Sequence, residues 1–284
     1  MSKAAQAKSI ATKLSKLSRQ KGVSYQSIAT SFLLERLLAR LIFNQDLAKC
    51  LVFKGGYVGL RVYNSARYTI DLDALLVKAE VATTMKQTTL AIESDIDDGT
   101  WFVLDSQIDL KTQGEYGGIR QIFRAGIGEQ PRDIRRSQVI NFDLGIGDPV
   151  TPGPVKMKTS ELIGDGDLSW QVYPIETILA EKLQTLIERG ADNSRAKDVF
   201  DLFFYISKAD AETLKEAVNR CFDFRGTTLP DDPVRFLSKI DKSLLSQGWK
   251  GATASLKDAP TFDEAFNGFL IGLHKIFPSK RDQE

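Results

Sequence analysis

Histidine and cysteine are scarce in this sequence. His274 is the single histidine among 284 residues, and Cys50 and Cys221 are the two cysteines. Catalysis by Ser-His-Asp or Cys-His groups is therefore disfavoured, as is a zinc hydrolase of the histidine-rich kind. The two cysteines lie far apart without metal-ligand spacing, so we expect free thiols in a reducing compartment.

The chain also lacks a long apolar run, the apolar core of a signal peptide and the glycine-rich loop of P-loop NTPases. These absences argue against a membrane protein and predict a cytoplasmic location. A hydrophobic fraction of 42% and a charged fraction of 26% are typical of globular chains. The formal net charge is +1, so any surface for nucleic acid must be local. Catalysis must depend on carboxylates, lysines and metal.

A glycine pair marks the start of the most informative stretch. Apolar residues 51–53 predict a strand, and Gly55 and Gly56 separate it from a helical pattern that begins near Tyr57. Glycines at a helix start expose backbone N–H groups, which favour an anion such as phosphate.

Two carboxylates follow this pair at a spacing of two residues. In a strand, Thr69, Asp71 and Asp73 would share one face, while Ile70 and Leu72 would point to the core. The two acids would stand about 7 Å apart at Cα, close enough to bind one or two divalent cations of the Mg²⁺ type. The alternative is a solvated strand edge that carries aspartates. A phosphate-binding turn followed by paired carboxylates is the physical outline of a nucleotidyl-transfer site.

A third carboxylate occurs on a later predicted strand, residues 138–145. Asn141 and Asp143 alternate there with apolar side chains, and an unpartnered acid in such a strand is costly to bury. A metal shared with Asp71 and Asp73 would supply a partner. The alternative is an ion pair with one of the nearby arginines: Arg120, Arg124, Arg132, Arg135 or Arg136.

The helical second half contains a lysine inside an apolar stripe. Lysine rarely faces a core unpaired, so Lys182 should reach either a carboxylate or a bound phosphate. Asp198 and Asp201 lie three residues apart and share a helical face. A simple structural role for these two aspartates is an ion pair with Arg195 and Lys197.

The Gly- and Pro-rich residues 145–166 predict a loop, which marks a boundary between two domains, residues 1–166 and residues 167–284. The first 34 residues contain no acid. This basic segment is interpreted either as a solvated helix face or as an arm that contacts the phosphates of a nucleic acid. Its basic residues are Lys3, Lys8, Lys13, Lys16, Arg19 and Lys21.

Four motifs occur in order within residues 30–206: Lys54-Gly55-Gly56, Arg67-x-Thr69-x-Asp71-Leu72-Asp73, Glu181-Lys182-Leu183 and Arg195-x-x-Asp198-x-x-Asp201-Leu202. Together they resemble the motifs of the AbiEii/AbiGii toxin family of bacterial nucleotidyltransferases, which includes the MenT toxins of mycobacteria. A departure from the family pattern is Tyr57, which follows the glycine pair where a smaller residue is usual.

The resemblance implies an α+β nucleotidyltransferase fold: a mixed sheet with flanking helices and a helical C-terminal half. It implies that Asp71 and Asp73 hold Mg²⁺ or Mn²⁺, with Asp143 as the candidate third ligand. It also implies that Lys182 contacts the triphosphate and that Asp198 completes the active site by orienting Lys182, so that the catalytic residues are Asp71, Asp73, Lys182 and Asp198. The remaining nucleotide-binding candidates are Lys54, Gly55, Gly56, Tyr57, Arg67 and Thr69.

The substrates implied are an NTP and a cellular acceptor, for which we expect the 3′ end of a tRNA. A toxin of this kind also implies a cognate antitoxin protein as partner. Two alternatives stay open at this point. The acceptor could be a protein or a small molecule, or the chain could bind nucleotide or its partner without catalysis.

Overall fold

The computed structural model describes residues 2–111 and 117–278, so Met1, residues 112–116 and residues 279–284 lie outside the described part. The chain separates into two compact units. The first comprises Met1–Asn64, Tyr68–Gly147 and Val155–Val172, and the second comprises Ser65–Arg67, Asp148–Pro154 and Tyr173–Glu284.

The first unit contains five helices and seven strands within its described residues. The helices are α1 (Lys3–Lys21), α2 (Tyr25–Phe43), α3 (Gln45–Cys50), α4 (Gly55–Arg61) and α5 (Val81–Glu93). The strands are β1 (Leu51–Lys54), β2 (Asp71–Leu76), β3 (Thr100–Lys111), β4 (Gly117–Ile127), β5 (Gln138–Ile146), β6 (Val155–Ser160) and β7 (Asp167–Val172).

These strands form one mixed sheet in the order β3-β4-β5-β2-β1-β7-β6. Strand β2 lies near the centre, parallel to β5 on one side and antiparallel to β1 on the other. Apolar side chains of β5 alternate with polar ones, and Ile140, Phe142 and Leu144 are fully buried. The predicted α+β fold with a mixed sheet is confirmed.

The long helix α2 packs on the sheet against β2, β5 and β7, and most of its residues are buried. Helix α1 packs beside it through Ile10 and Leu14, in a cluster that also contains Phe32. Capping residues define both helix starts: the Ser2 hydroxyl accepts from an N–H of α1, and Ser24 does the same for α2. The two helices are therefore an integral part of this unit.

The second unit is helical in its described part and has its own core. Its helices are α6 (Ile175–Arg189), α7 (Ala196–Ile206), α8 (Ala211–Phe224), α9 (Pro233–Ser238), α10 (Ser243–Gln247), α11 (Trp249–Ala252) and α12 (Phe262–Ile276). Helix α12 opens with the capping box that its sequence indicates, in which Thr261 and Glu264 cap each other's backbone N–H groups. Aromatic rings of α7, α11 and α12 pack against one another around Trp249.

Three sequence expectations can be compared with these elements. The prediction of a loop throughout residues 145–166 is wrong, because β6 lies inside it and pairs antiparallel with β7. Neither cysteine forms a disulfide within the described residues, as expected. Across residues 2–111 and 117–278, no helix is long and apolar enough to cross a membrane.

Candidate active site

The two carboxylates of β2 lie on one face of the sheet. Asp71 and Asp73 are half-buried, whereas Leu72 and Ala74 between and after them are fully buried. The predicted alternation is therefore confirmed from Asp71 onward. It is wrong for Ile70, which precedes the strand and has 56% of its surface exposed.

Strand β5 adds two polar residues beside these acids. In the parallel pairing of β2 and β5, Asn141 stands opposite Asp71, and Asp143 stands opposite Asp73. The Asn141 Nδ2 donates to Asp71 Oδ1 over 2.7 Å. The Asn141 side-chain oxygen is buried without a hydrogen-bond partner in the described part of the chain. Asn141 therefore holds one oxygen of Asp71 and leaves the carboxylate's other oxygen for a ligand.

Asp143 is bound by an arginine of the next strand. Arg120 of β4 donates from Nε to Oδ1 over 2.7 Å and from Nη2 to Oδ2 over 2.6 Å. These hydrogen bonds raise the pKa of the Arg120 guanidinium, and the charges of Asp71 and Asp73 raise it further. The pairing with an arginine that the sequence left open is thus present, and the metal role of Asp143 stays a prediction.

Gly55 lies directly against the second carboxylate. Its φ of +74° is in the left-handed region, and a Cβ at this position would stand 2.0 Å from Asp73 Oδ2. Only glycine satisfies both demands. Lys54 is the cross-strand partner of Asp73, and α4 begins at Gly55 without a side-chain cap from Lys54. The glycine pair therefore places the start of α4 in contact with the acid face, the face of β2 that carries Asp71 and Asp73.

Two of the predicted nucleotide-binding side chains have structural contacts. Tyr57 is fully buried, and its hydroxyl donates to the Ser31 carbonyl oxygen over 3.3 Å. Burial is the main reason why the pKa of Tyr57 is raised well above its usual value. Any contact of Tyr57 with a nucleotide would therefore use its backbone. The Thr69 hydroxyl accepts from the Asp71 N–H over 3.3 Å, which shapes the entry to β2.

A second charged cluster lies inside the helical unit. The Nζ of Lys182, on α6, is 2.5 Å from Asp198 Oδ1 and 2.9 Å from Asp201 Oδ2, both on α7. The guanidinium of Arg195 bonds the other oxygen of Asp198 over 2.5 Å. The expectation that Lys182 reaches a carboxylate is confirmed, as is the shared face of the two aspartates.

The charges of this second cluster depend on one another. Burial by itself would raise the pKa of Asp198, but Lys182 and Arg195 lower it far below its usual value. Burial would lower the pKa of Lys182, but the two aspartates raise it above its usual value. The lysine is thus charged at neutral pH and fixed in position by Asp198.

Arg67 belongs to this second cluster. Its Nε and Nη2 donate to the two oxygens of Asp201 over 3.1 and 2.8 Å, and both side chains are buried. Its predicted contact with a nucleotide stays a prediction, since a bidentate ion pair already occupies one edge of the guanidinium.

Whether the acid face fits a divalent cation depends on its donors. Across residues 2–111 and 117–278, no group of three or more His, Cys, Asp or Glu side chains is arranged to hold a metal ion. Asp71 and Asp73 nevertheless share one face, and Mg²⁺ commonly takes one or two carboxylates together with water and substrate phosphates. The donor set fits a cation held by these two residues.

The fold and the paired carboxylates define a nucleotidyltransferase. Residues 36–268 match the family model described as "Nucleotidyl transferase AbiEii toxin, Type IV TA system". The chain belongs to this family of nucleotidyltransferase toxins, which implies an NTP substrate and an antitoxin partner. No curated protein sequence matches the chain significantly.

Two solved structures from H. pylori share the fold. A candidate nucleotidyltransferase is 18% identical with a TM-score of 0.55, and the match covers 92% of this chain and 99% of that chain. The protein JHP933 is 17% identical with a TM-score of 0.53, and the match covers 92% and 95% of the two chains. At this level of identity the likeness concerns the fold alone.

No role for Asn141 is predicted from the sequence, and Arg120 is one of five arginines predicted as possible partners of Asp143. The alternation of side chains along β5 could have revealed Asn141, because Asn141 lies two residues before Asp143 and therefore shares its face of the strand. Arg120 could not be selected in this way, because choosing it requires the register between β4 and β5.

Proposed function

We propose that this chain transfers a nucleoside monophosphate from an NTP to a cellular acceptor, the 3′ end of a tRNA, with Mg²⁺ or Mn²⁺ held by Asp71 and Asp73. The observation that carries the proposal is the placement of both carboxylates on one face of β2, with Gly55 packed against Asp73. The cytoplasmic location remains a prediction.

The residues of the acid face have distinct tasks in this proposal. Asn141 holds one oxygen of Asp71, and Gly55 packs against the carboxylate of Asp73. A divalent cation bound there would activate the attacking hydroxyl and neutralise charge on the α-phosphate and the departing pyrophosphate. Lys54 and the backbone N–H groups that open α4 bind the phosphates.

Lys182 and Asp198 of the helical unit serve the same reaction. Lys182 supplies positive charge to the triphosphate, and Asp198 holds its ammonium group in position, assisted by Asp201. A bound phosphate would replace one of these carboxylate contacts without leaving the lysine uncompensated.

The basic segments of the first unit support an RNA acceptor. The loop after β4 starts beside α1, because a Cβ on Gly128 would stand 2.8 Å from the Ala7 Cβ. The same loop ends beside α2, where Gln138 bonds Thr30. The N-terminal half of α1, which carries Lys3 and Lys8, therefore lies beside the loop that carries the exposed arginines Arg132, Arg135 and Arg136.

Not all of these charges are available to phosphates. Arg135 pairs with Asp133, Lys3 pairs with Asp95, and Lys13 donates to a backbone carbonyl. The exposed basic residues that best fit an RNA backbone are Lys8, Lys16, Arg19, Lys21, Arg132 and Arg136.

The transfer reaction is tested by identifying which cellular component becomes labelled from a radioactive NTP. Purified protein is incubated with Mg²⁺, one α-³²P-labelled NTP at a time, and total cell RNA and protein. The proposal predicts label in the tRNA fraction, at the 3′ end. Label in protein or in small molecules would contradict the tRNA acceptor, and no incorporation with any NTP would contradict the transfer itself.

The RNA surface needs a milder change than deletion of α1, because Ile10 and Leu14 are core residues. We expect replacement of four basic α1 residues by glutamine to raise the KM for tRNA without changing the KM for nucleotide. The dependence of tRNA binding on salt should also become shallower, by up to about 0.7–0.9 in the log–log slope per lost phosphate contact. The four α1 residues are Lys8, Lys16, Arg19 and Lys21.

A matched control removes the same number of exposed charges from the helical unit, at Lys239, Lys250, Lys257 and Lys275. This control should leave both KM values unchanged. An equal loss of tRNA affinity in both variants would indicate general electrostatic attraction and would contradict a defined RNA surface.

The proposed activity also predicts restraint by the antitoxin. Expression of this chain alone should slow bacterial growth, and Asp71→Asn should relieve the effect because the cation site is lost. Normal growth with soluble, active protein would contradict the toxin role of this chain.

A further inference from the structure

Four charged residues form one row across four neighbouring strands. Lys54 on β1 stands opposite Asp73 on β2, Asp73 opposite Asp143 on β5, and Asp143 opposite Arg120 on β4. Residues directly opposite one another in a sheet point to the same face. This charged row therefore places two acids at its centre and one cation at each end.

The two central acids have different surroundings. Both oxygens of Asp143 accept hydrogen bonds from Arg120 in a bidentate pair. The Asp143 side chain is 15% exposed, and the Arg120 side chain is 30% exposed. Asp73 instead lies against Gly55 at the start of α4. A carboxylate with both oxygens in a bidentate arginine pair is a poor cation ligand, because a cation must displace the guanidinium from it.

Arg120 keeps further capacity to donate hydrogen bonds. Its pair with Asp143 uses two of the five N–H groups that a guanidinium carries. The planar fork of arginine matches phosphate oxygens, and its orientation by a carboxylate reduces the entropy lost on binding. The triphosphate of a nucleotide also carries more negative charge than one divalent cation neutralises.

We infer that Arg120 is a phosphate-binding residue for the nucleotide and that Asp143 is the positioning residue that orients it, rather than a third metal ligand. This inference rests on the proposed function, because it takes the NTP as the substrate of the acid face. In this assignment Asp73 binds the cation together with Asp71, and Arg120, at the end of the charged row, binds the phosphate.

Metal binding distinguishes the two roles of Asp143. Mn²⁺ alone is titrated into nucleotide-free protein and followed by electron paramagnetic resonance. Asp71→Asn should abolish high-affinity binding, whereas Asp143→Asn should change the Kd by less than about threefold. If Asp143→Asn loses Mn²⁺ as Asp71→Asn does, Asp143 is a metal ligand and the inference is overturned.

Nucleotide binding tests the arginine. The Kd for labelled NTP should rise roughly 10-fold to 100-fold in Arg120→Ala, the range expected for loss of a charge-assisted hydrogen bond. Asp143→Asn should raise it in the same direction, and the double variant should be no worse than Arg120→Ala because the two residues act as one unit. Arg120→Lys should recover only part of the affinity, because an ammonium group lacks the fork.

The control is Arg124→Ala, which removes an arginine from the same strand and breaks its pair with Asp105. This variant should bind NTP like the wild type. An unchanged Kd for NTP in Arg120→Ala would overturn the inference. So would a double variant whose Kd rises by the product of the two single effects, because the two residues would then act independently. Wild-type protein that binds NTP but transfers nothing would contradict the proposed function alone, and failure to bind NTP would contradict both.

Discussion

Replacement of Gly55 by alanine should damage catalysis far more than it damages the fold. The backbone at Gly55 has a φ of +74°, and alanine there costs about 1–2 kcal/mol of strain. The new Cβ would also stand 2.0 Å from Asp73 Oδ2 and 2.6 Å from Asp73 Cγ, where 3.0 Å is the practical limit. The carboxylate must therefore retreat by about 1 Å from its place on the acid face.

A displacement of that size matters because a catalytic group misplaced by about 1 Å can cost on the order of 100-fold in rate. We expect Gly55→Ala to lower kcat for nucleotide transfer by about that factor. The free energy of unfolding, measured by urea denaturation, should fall by only about 1–2 kcal/mol.

Gly226→Ala is the matched control. Gly226 has a φ of +61°, and no heavy atom lies within 4 Å of its added Cβ among the described residues. This variant carries similar backbone strain without a clash, so it should lose comparable stability and keep wild-type turnover. If Gly55→Ala also keeps wild-type turnover, the close contact between Gly55 and Asp73 has no catalytic role.

Three further predictions concern buried charges. Lys182→Met should lower the free energy of unfolding by about 1–3 kcal/mol, because it removes one of the two cations that pair with each of the buried carboxylates of Asp198 and Asp201, whereas Arg195 and Arg67 stay in place; unchanged stability in urea denaturation would contradict this. The pKa of Asp198 is lowered in the folded state, so its contribution to stability is complete above about pH 4 and is lost as pH falls through the folded-state value. The stability difference between wild type and Asp198→Asn should therefore be constant from about pH 5 to pH 9 and shrink below about pH 4, and a difference that shrinks already between pH 7 and pH 5 would refute the assignment. Glu35→Gln should lower the melting temperature, because the fully buried Glu35 carboxylate pairs with Arg61 and accepts from the Leu162 N–H; an unchanged melting temperature would show that this pair adds no stability.

The central strands could be predicted because their chemistry is local. Alternation places Asp71 and Asp73 on one face whatever the rest of the fold, and the same rule applies to Asn141 and Asp143. Lys182 could be expected to meet a carboxylate, because a lysine in an apolar stripe needs a partner. Each of these expectations depends on a few neighbouring residues.

The remaining features depend on contacts between distant segments. Ile70 fits the alternation but precedes the strand, because strand length is set by pairing with β1 and β5. Strand β6 has no fully buried residue, so its short polar pattern resembles a loop. The partner of Asp143 is determined by the register between β4 and β5, and the sequence offers five arginines as possible partners. Tyr57 follows a glycine pair, yet its ring belongs to the core beside Trp170.

The most direct measurement is incorporation of α-³²P-labelled nucleotide into the acceptor by wild type, Asp71→Asn and Asp73→Asn, with melting temperature recorded for each protein. Both carboxylates are half-buried on a strand whose core side chains are untouched by these changes. The account predicts Mg²⁺-dependent incorporation by wild type and at least a 100-fold loss in each variant, on the order expected when electrostatic stabilisation of the transition state is removed. Near-normal incorporation by either stably folded variant would contradict the assignment of these two carboxylates to the reaction.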